Sequence, residues 1–204
     1  MALENVALEH VPSGYGVYVG FFRDVTNADF LHQQLLSRNR DFEYAFIDAS
    51  SVISRLHLLS AVYSALNTLL VGALRTPNVH SEIVTSFNTN NNIADAYRRW
   101  GITPGKTKDL IVVKIISPTA EGQNGFSATS ARTPEAIWAH LTEHVMGKPV
   151  PVTDSEIAQA TDWPKVRKYY RLNGVPALEK VADKAEHQRK MEQLAIMGMA
   201  LRGL

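Results

Sequence analysis

The stretch HSEIVTSFNTNNNIADAYRRWGI, residues 80 to 102, decides how the chain folds. Its first part, His80 to Phe87, mixes β-branched and apolar side chains and reads as a strand. Asn90, Asn91 and Asn92 then read as a tight corner whose backbone uses asparagine's tolerance of left-handed conformations, with Asn91 or Asn92 capping a short amphipathic helix from Ile93 to Trp100. Gly101 suits a left-handed helix end. A polar cluster at such a junction is also where backbone N–H groups can receive an anion.

Working outward, strands and helices alternate. Upstream, GVYVGFFRD (Gly16 to Asp24) is a strand, and Thr26 or Asn27 caps a helix to about Arg38. YAFID (Tyr44 to Asp48) is a second strand, and Ser50 or Ser51 opens a long apolar helix reaching about Leu74. Downstream, LIVVKII (Leu110 to Ile116) is a strand, and residues 117–133, rich in Gly, Ser, Thr and Ala, read as a flexible loop or insertion. Helices are expected over Pro134 to Met146, Asp154 to Thr161 and Lys165 to Leu172, with a long one from Pro176. The expectation is a single domain over residues 1–204, α/β or α+β in class. Its central sheet has four or more strands flanked by helices, and its C-terminal third is helical.

Composition bounds the function. With 204 residues, 45% apolar and 20% charged, the chain can bury a substantial core. Its formal net charge of +1 means that any nucleic-acid contact must come from a local patch. There is no cysteine, which excludes disulfides, thiolate nucleophiles and cysteine zinc sites and fits a reducing compartment. The opening MALENVALEHVPSG has no basic region followed by an apolar core, so no signal peptide is expected. The most apolar stretch, His57 to Leu74, carries His57, Asn67 and several hydroxyls and falls short of the roughly 20 residues that span a bilayer. It reads as a buried helix, and no membrane association is expected.

Motifs that imitate catalytic sites do not assemble into one. GITPGKT (Gly101 to Thr107) lacks a residue between its glycines and follows a helix, the reverse of a phosphate-binding loop, so an exposed turn with a cationic tip is expected. GYGVYVG (Gly14 to Gly20) precedes its strand instead of following it. HLTEH (His140 to His144) puts two histidines at i and i+4 with a glutamate between, as in inverted zinc proteases. Such a site needs a distant acidic ligand, for which Glu179, Glu186 and Glu192 are generic candidates, so a solvated helix face is favoured and a zinc-dependent hydrolase is the alternative. Asp24 and Asp48, at strand ends, read as turn formers and caps. No cofactor is expected.

Two features point to partners. WPKVRKYYRL (Trp163 to Leu172) interleaves Lys165, Arg167, Lys168 and Arg171 with aromatic rings, as single-stranded RNA binding requires. On a helix, Val166, Tyr169, Tyr170 and Leu172 equally form a core stripe beneath solvated cations. The last helix starts polar and carries no charge from Leu194 to Leu201, so it is either buried centrally or covered by a partner. Gly198 within it allows close approach of another element.

Four blocks together resemble a known family: FFRDVTNADFL (Phe21 to Leu31), ALRTPNVHSEIVTSFNTNNNIADAYRRWGI (Ala73 to Ile102), KVRKYYRL (Lys165 to Leu172) and the late ALRGL. The family is the small PRPK-binding (TPRKB, CGI-type) subunit of the EKC/KEOPS complex. The middle block is the most specific, matching in Arg75, Thr76, Ser81, Glu82, the asparagine triplet, Ile93, Ala96, Trp100, Gly101 and Ile102 without a gap. Thr89, where animal members have proline, the longer loop after Ile116 and extra polar length around Gln188 to Gln193 depart from the pattern.

The resemblance implies a non-enzymatic subunit that binds and stimulates the small atypical kinase/ATPase of the complex. That assembly, which includes the threonylcarbamoyl transferase, makes threonylcarbamoyladenosine in tRNAs reading codons that start with A. Archaeal relatives are implicated in holding the single-stranded CCA end of tRNA. Eukaryotic members are nuclear and cytoplasmic, with a link to telomere maintenance. Leu194, Met197, Gly198 and Leu201 are then the candidates for the kinase, and Lys165, Lys168, Arg171, Arg98, Arg99 and Asn91 the candidates for tRNA.

Overall fold

A computed structural model describes residues 3–117 and 133–202. Residues 118–132 of the expected loop lie outside the described residues. Two strands dominate the sheet. Gly16–Arg23 (β2) and Leu110–Ile116 (β4) run antiparallel, in register from Gly16 opposite Ile116 to Phe22 opposite Leu110. Both read as near-continuous apolar runs because both faces of the sheet are covered. Ala45–Asp48 (β3) pairs with β4 on its free side. Two three-residue strands, Leu3–Asn5 (β1) and Lys148–Val150 (β5), share the other edge of β2, at residues 18–20 and 21–23. Neither was legible, since three residues carry no readable period of two. Every pairing is antiparallel, so the fold is α+β.

Alternation of side chains along the strands divides two cores. Val17, Val19, Phe21, Ala45, Ile47, Ile111, Val113 and Ile115 face one side, while Tyr18, Phe22, Phe46, Leu110 and Val112 face the other. The second side is closed by Ala28–Leu36 (α1) and Pro134–His144 (α5). Against the first lie Arg55–Leu70 (α2), Val79–Ser86 (α3) and Ile93–Trp100 (α4). The same side takes Asp154–Ala160 (α6), Trp163–Tyr169 (α7), Pro176–Glu179 (α8) and Lys184–Ala200 (α9), which make the last third helical.

The opening stretch is corrected at three points. His80 to Phe87 belongs to a helix, not a strand. Val79, Ile83, Val84 and Phe87 fall at helical spacing, and the Asn78 side chain caps the start by accepting the Ser81 N–H at 2.8 Å. All of α3 except Ser81 is buried, so the polar face that marks an amphipathic helix is missing. Second, none of the triplet asparagines has a positive φ. Their value lies in their side chains: Asn90 accepts the Asn92 N–H at 2.8 Å, Asn88 donates to Asn90, and Asn92 caps α4 by accepting from Asp95 N–H. Third, Gly101 is extended, with φ −74° and ψ 161°. A Cβ there would stand 2.6 Å from the Tyr97 carbonyl oxygen, because the chain turns hard against the edge of β3, where Ile102 N–H donates to the Phe46 carbonyl.

Helix boundaries shift for similar reasons. A 3-10 turn, Ala49–Ser51, capped by Asp48, precedes α2, whose true cap is Ser54. Asn27 stands at the start of α1 but spends its side chain on Met146 N–H and the His144 carbonyl, clipping α1 to the end of α5. The long last helix starts at Lys184, capped by Asp183, with only a single turn at Pro176 before it. Within the Gly101 to Thr107 segment, Pro104, Gly105 at φ +65° and Lys106 form the exposed turn expected, while Gly101, Ile102 and Thr107 are buried.

A buried polar chain crosses the first core. His57, fully enclosed, accepts the Ile53 N–H at Nδ1, so its Nε2 carries the proton in the neutral ring and donates to the Tyr170 hydroxyl. Tyr170 in turn donates to the Phe87 carbonyl at 2.9 Å. Burial pushes the His57 pKa down to about 3. His80, likewise buried, accepts the Ile115 N–H at Nε2, and burial with the nearby Lys114 charge holds its pKa well below the usual histidine value.

Candidate functional site

The two histidines of HLTEH do come together, ring on ring, with centroids 4.4 Å apart. They pack rather than open a site. His140 Nδ1 meets the Tyr44 hydroxyl at 3.0 Å, His144 Nδ1 bonds the His140 carbonyl, and Phe42 stands edge-on to both. Among the described residues no set of three or more His, Asp or Glu is placed to hold a metal. Glu179, Glu186 and Glu192 lie on α8 and α9, across the sheet from α5.

The residues of the basic segment divide between core and surface. Val166, Tyr170 and Leu172 are core. Lys165 is occupied: its ammonium lies 2.8 Å from Asp48 and 2.7 Å from the Ser50 hydroxyl. Lys168 and Arg171 face solvent. Arg99 lies 2.9 Å from Asp95, donates to the Tyr169 carbonyl at 3.1 Å and covers the Tyr169 ring, which sets the last turn of α4 beside that of α7. Arg98 also pairs with Asp95 but leaves most of its side chain in water. The exposed cations of this surface are therefore Arg98, Lys168 and Arg171, with Arg99 as the joint between helices.

Asn91 projects from the asparagine corner, where its side-chain oxygen accepts from the Arg75 guanidinium. Arg75, Thr85, Asn90, Asn91, Asn92, Ile93 and Arg202 ring a recess there of about 10 Å³, room for a water. An open groove of about 570 Å³ lies elsewhere, between Trp163, Gln159 and the start of α9.

The candidates on α9 separate by face. Met191, Ala195 and Met199 are buried, and Leu194 packs against the core from the margin. Met197 and Leu201, one turn apart, are each 57% exposed. Gly198 faces inward, where a Cβ would lie 3.0 Å from Thr89 Cγ2, so the close approach it allows is to the asparagine corner of its own chain.

Arg202, just beyond α9, was not singled out from sequence. It donates to the Thr85 carbonyl and reaches Glu82 at 3.3 Å. Glu82 also accepts from the Arg75 and Thr76 backbone N–H groups and from the Thr76 hydroxyl. Arg75, Thr76 and Glu82 had stood out only as a signature; the structure makes them one cluster around a buried carboxylate.

The geometry thus presents an exposed apolar pair at the end of a helix that buries Met191, Ala195 and Met199 on its opposite face, and a separate cationic surface. Comparison with known proteins agrees with a partner-binding role in the family. Residues 22–203 match the family model described as "Kinase binding protein CGI-121". The chain is 54% identical to the EKC/KEOPS complex subunit cgi121 of Neurospora crassa and 56% identical to that of Gibberella zeae, in both cases over the full length of both chains. It is 29% identical to the Schizosaccharomyces pombe subunit over 77% of this chain and 82% of that one. With a family model spanning nearly the whole chain and full-length relatives above half identity, the protein belongs to the CGI-121 family of kinase binding proteins.

Proposed function

We propose that the chain is a non-catalytic subunit of an EKC/KEOPS complex that binds the complex's small atypical kinase/ATPase through the outer face of α9 and stimulates it. The observation that carries this is the exposure of Met197 and Leu201 on a helix whose opposite face, Met191, Ala195 and Met199, is buried. An uncovered apolar pair at the end of a long helix is what helix-in-groove recognition uses. Leu194 supports that face from beneath, and Gly198 sets its distance from the asparagine corner.

Through the kinase and, indirectly, the threonylcarbamoyl transferase, the subunit supports threonylcarbamoyladenosine formation in tRNAs reading codons that start with A. Arg98, Lys168 and Arg171 offer cations to the tRNA, and Asn91, exposed at the asparagine corner, is the candidate for its 3′ CCA end. Lys165 and Arg99 contribute by position, being held by Asp48 and Asp95. Work in the nucleus and cytoplasm and a part in telomere maintenance rest on the family resemblance.

The test is co-purification with the kinase. Met197→Glu with Leu201→Glu should abolish it while circular dichroism and thermal midpoint stay near wild type. Retention of the kinase by that variant would overturn the assignment.

A further inference from the structure

Glu82 is 0% exposed, and among the described residues no other carboxylate is so completely enclosed. A buried carboxylate must be matched with donors and a positive charge, or its desolvation destabilises the fold. Its two oxygens take their partners from different parts of the chain. Oε2 accepts from Arg75 N–H and Thr76 N–H, each at 3.1 Å, and from the Thr76 hydroxyl at 2.8 Å. Oε1 faces the Arg202 guanidinium at 3.3 Å. Arg75 carries the connection onward, because its guanidinium holds the Asn91 side chain. Arg202 carries it the other way, to the turn that bears Leu201.

We propose that Glu82 is a positioning residue that couples the two candidate surfaces: through Arg202 on one oxygen and the Arg75–Thr76 segment on the other, it holds the end of α9 and the asparagine corner in a single arrangement. The partner half of this inference rests on the proposed function. A protein seated on Met197 and Leu201 steadies Arg202, and the fully paired carboxylate then steadies Arg75 and the Asn91 side chain it grips. Thermodynamic reciprocity requires the converse: a ligand that orders Asn91 favours the seated form of α9 by the same factor. Gly198 against Thr89 is a second contact between the same two elements, so the two surfaces move as neighbours.

Amide exchange measured by NMR tests the coupling in the free protein. Arg202 bonds neither Arg75 nor Thr76, and Arg202→Met leaves all three of their bonds to Glu82 in place. The coupling expects the Arg75 and Thr76 amides to exchange about tenfold faster or more in Arg202→Met, since their acceptor has lost the cation on its other oxygen. Exchange that rises only in the last turn of α9, with Arg75 and Thr76 at wild-type rates, overturns it. Should Arg202→Met fail to fold, Arg202→Lys decides: its single head group keeps charge but cannot span Thr85 and Glu82, and a smaller rise at the same two amides is expected. Glu82→Gln adds a directional check. With its amide oxygen kept on Arg75 and Thr76, its NH₂ group faces Arg202 donor to donor, so the end of α9 should open while the Arg75–Thr76 segment is largely retained.

Adding the complex's kinase subunit extends the test. Binding should slow Arg75 and Thr76 exchange several-fold in the wild type and not in Arg202→Met. A kinase that does not bind at all overturns the proposed function, while the free-protein rates still judge Glu82. A kinase that binds and slows only α9 overturns the coupling and leaves the proposed function standing.

Discussion

The His57 ring lies 2.6 Å from the Tyr170 hydroxyl, 113 residues further along the chain. With the Tyr170 bond to the Phe87 carbonyl, it ties α2, α3 and α7 together inside the first core. Tyr170→Phe would leave the His57 Nε2–H and one carbonyl in an apolar site without this partner. A loss of about 1–3 kcal/mol for each group left unpaired is expected. Urea unfolding measures it, and an unchanged midpoint would show that the chain of bonds contributes nothing.

The same ring makes stability depend on pH. The folded pKa of His57 is lowered to about 3, so below the unfolded value near 6.5 the unfolded chain binds a proton that the folded chain does not. Stability from this group is therefore fully present above about pH 6.5 and falls as pH drops towards 3, by about 1.4 kcal/mol per unit. His80, lowered in the same direction, steepens the fall. His57→Gln should lower stability at pH 7 but flatten the slope between about pH 4 and 6. A slope equal to wild type would place the acid sensitivity elsewhere.

The cations of the basic segment should separate into two kinds. Lys168→Glu with Arg171→Glu is expected to weaken tRNA binding and reduce the steepness of its salt dependence by roughly 1 to 2 in log–log slope, with stability unchanged. Lys165→Met should do the reverse. It strips the buried Asp48 of its ion pair and costs about 1–3 kcal/mol, with a smaller effect on RNA than the double variant has. Filter binding at two salt concentrations beside thermal melts distinguishes them, and an identical salt slope in the double variant would remove this surface from RNA recognition.

Leu194 and Met197 sit three residues apart on α9 yet should respond oppositely. Leu194→Glu buries a charge against the core and is expected to lower stability by about 2–4 kcal/mol, whereas Met197→Glu should stay within about 0.5 kcal/mol. Thermal midpoints compare them. Equal losses would mean that both faces of the helix are packed.

Gly198 is maintained against its helix propensity by Thr89. Gly198→Ala gains about 1 kcal/mol of propensity but presses its Cβ on the Thr89 methyl at 3.0 Å, so the single change should be close to neutral. In a Thr89→Ala background the same substitution should stabilise by about 1 kcal/mol. Additive effects in the double-mutant cycle would show that the contact carries no energy.

Strands β2, β3 and β4 were legible because each is a dense β-branched or aromatic run, and α4 was legible because Asn92, Asp95 and the closing cations mark its ends. What misled was α3. Its β-branched residues favour a strand locally, and the helix wins only because α2, α4 and the sheet cover it on all sides and the Asn78 cap starts it. Short strands β1 and β5 exist because β2 offers them an edge, a property of the partner and not of their own residues.

The site divides in the same way. Sequence alone determined the family, the helix that carries Met197 and Leu201, the absence of cysteine chemistry and the basic segment, because those depend on residue type and spacing along one chain. Tertiary structure alone decided which of these residues face out. Lys165 is spent on Asp48, Arg99 on Asp95 and Tyr169, and Leu194 on the core, while Lys168, Arg171, Met197 and Leu201 remain in solvent. The asparagine corner and the end of α9 meet over Glu82 although more than a hundred residues separate Glu82 from Arg202. Burial and pairing are relations between distant parts of the chain, and no local pattern encodes them.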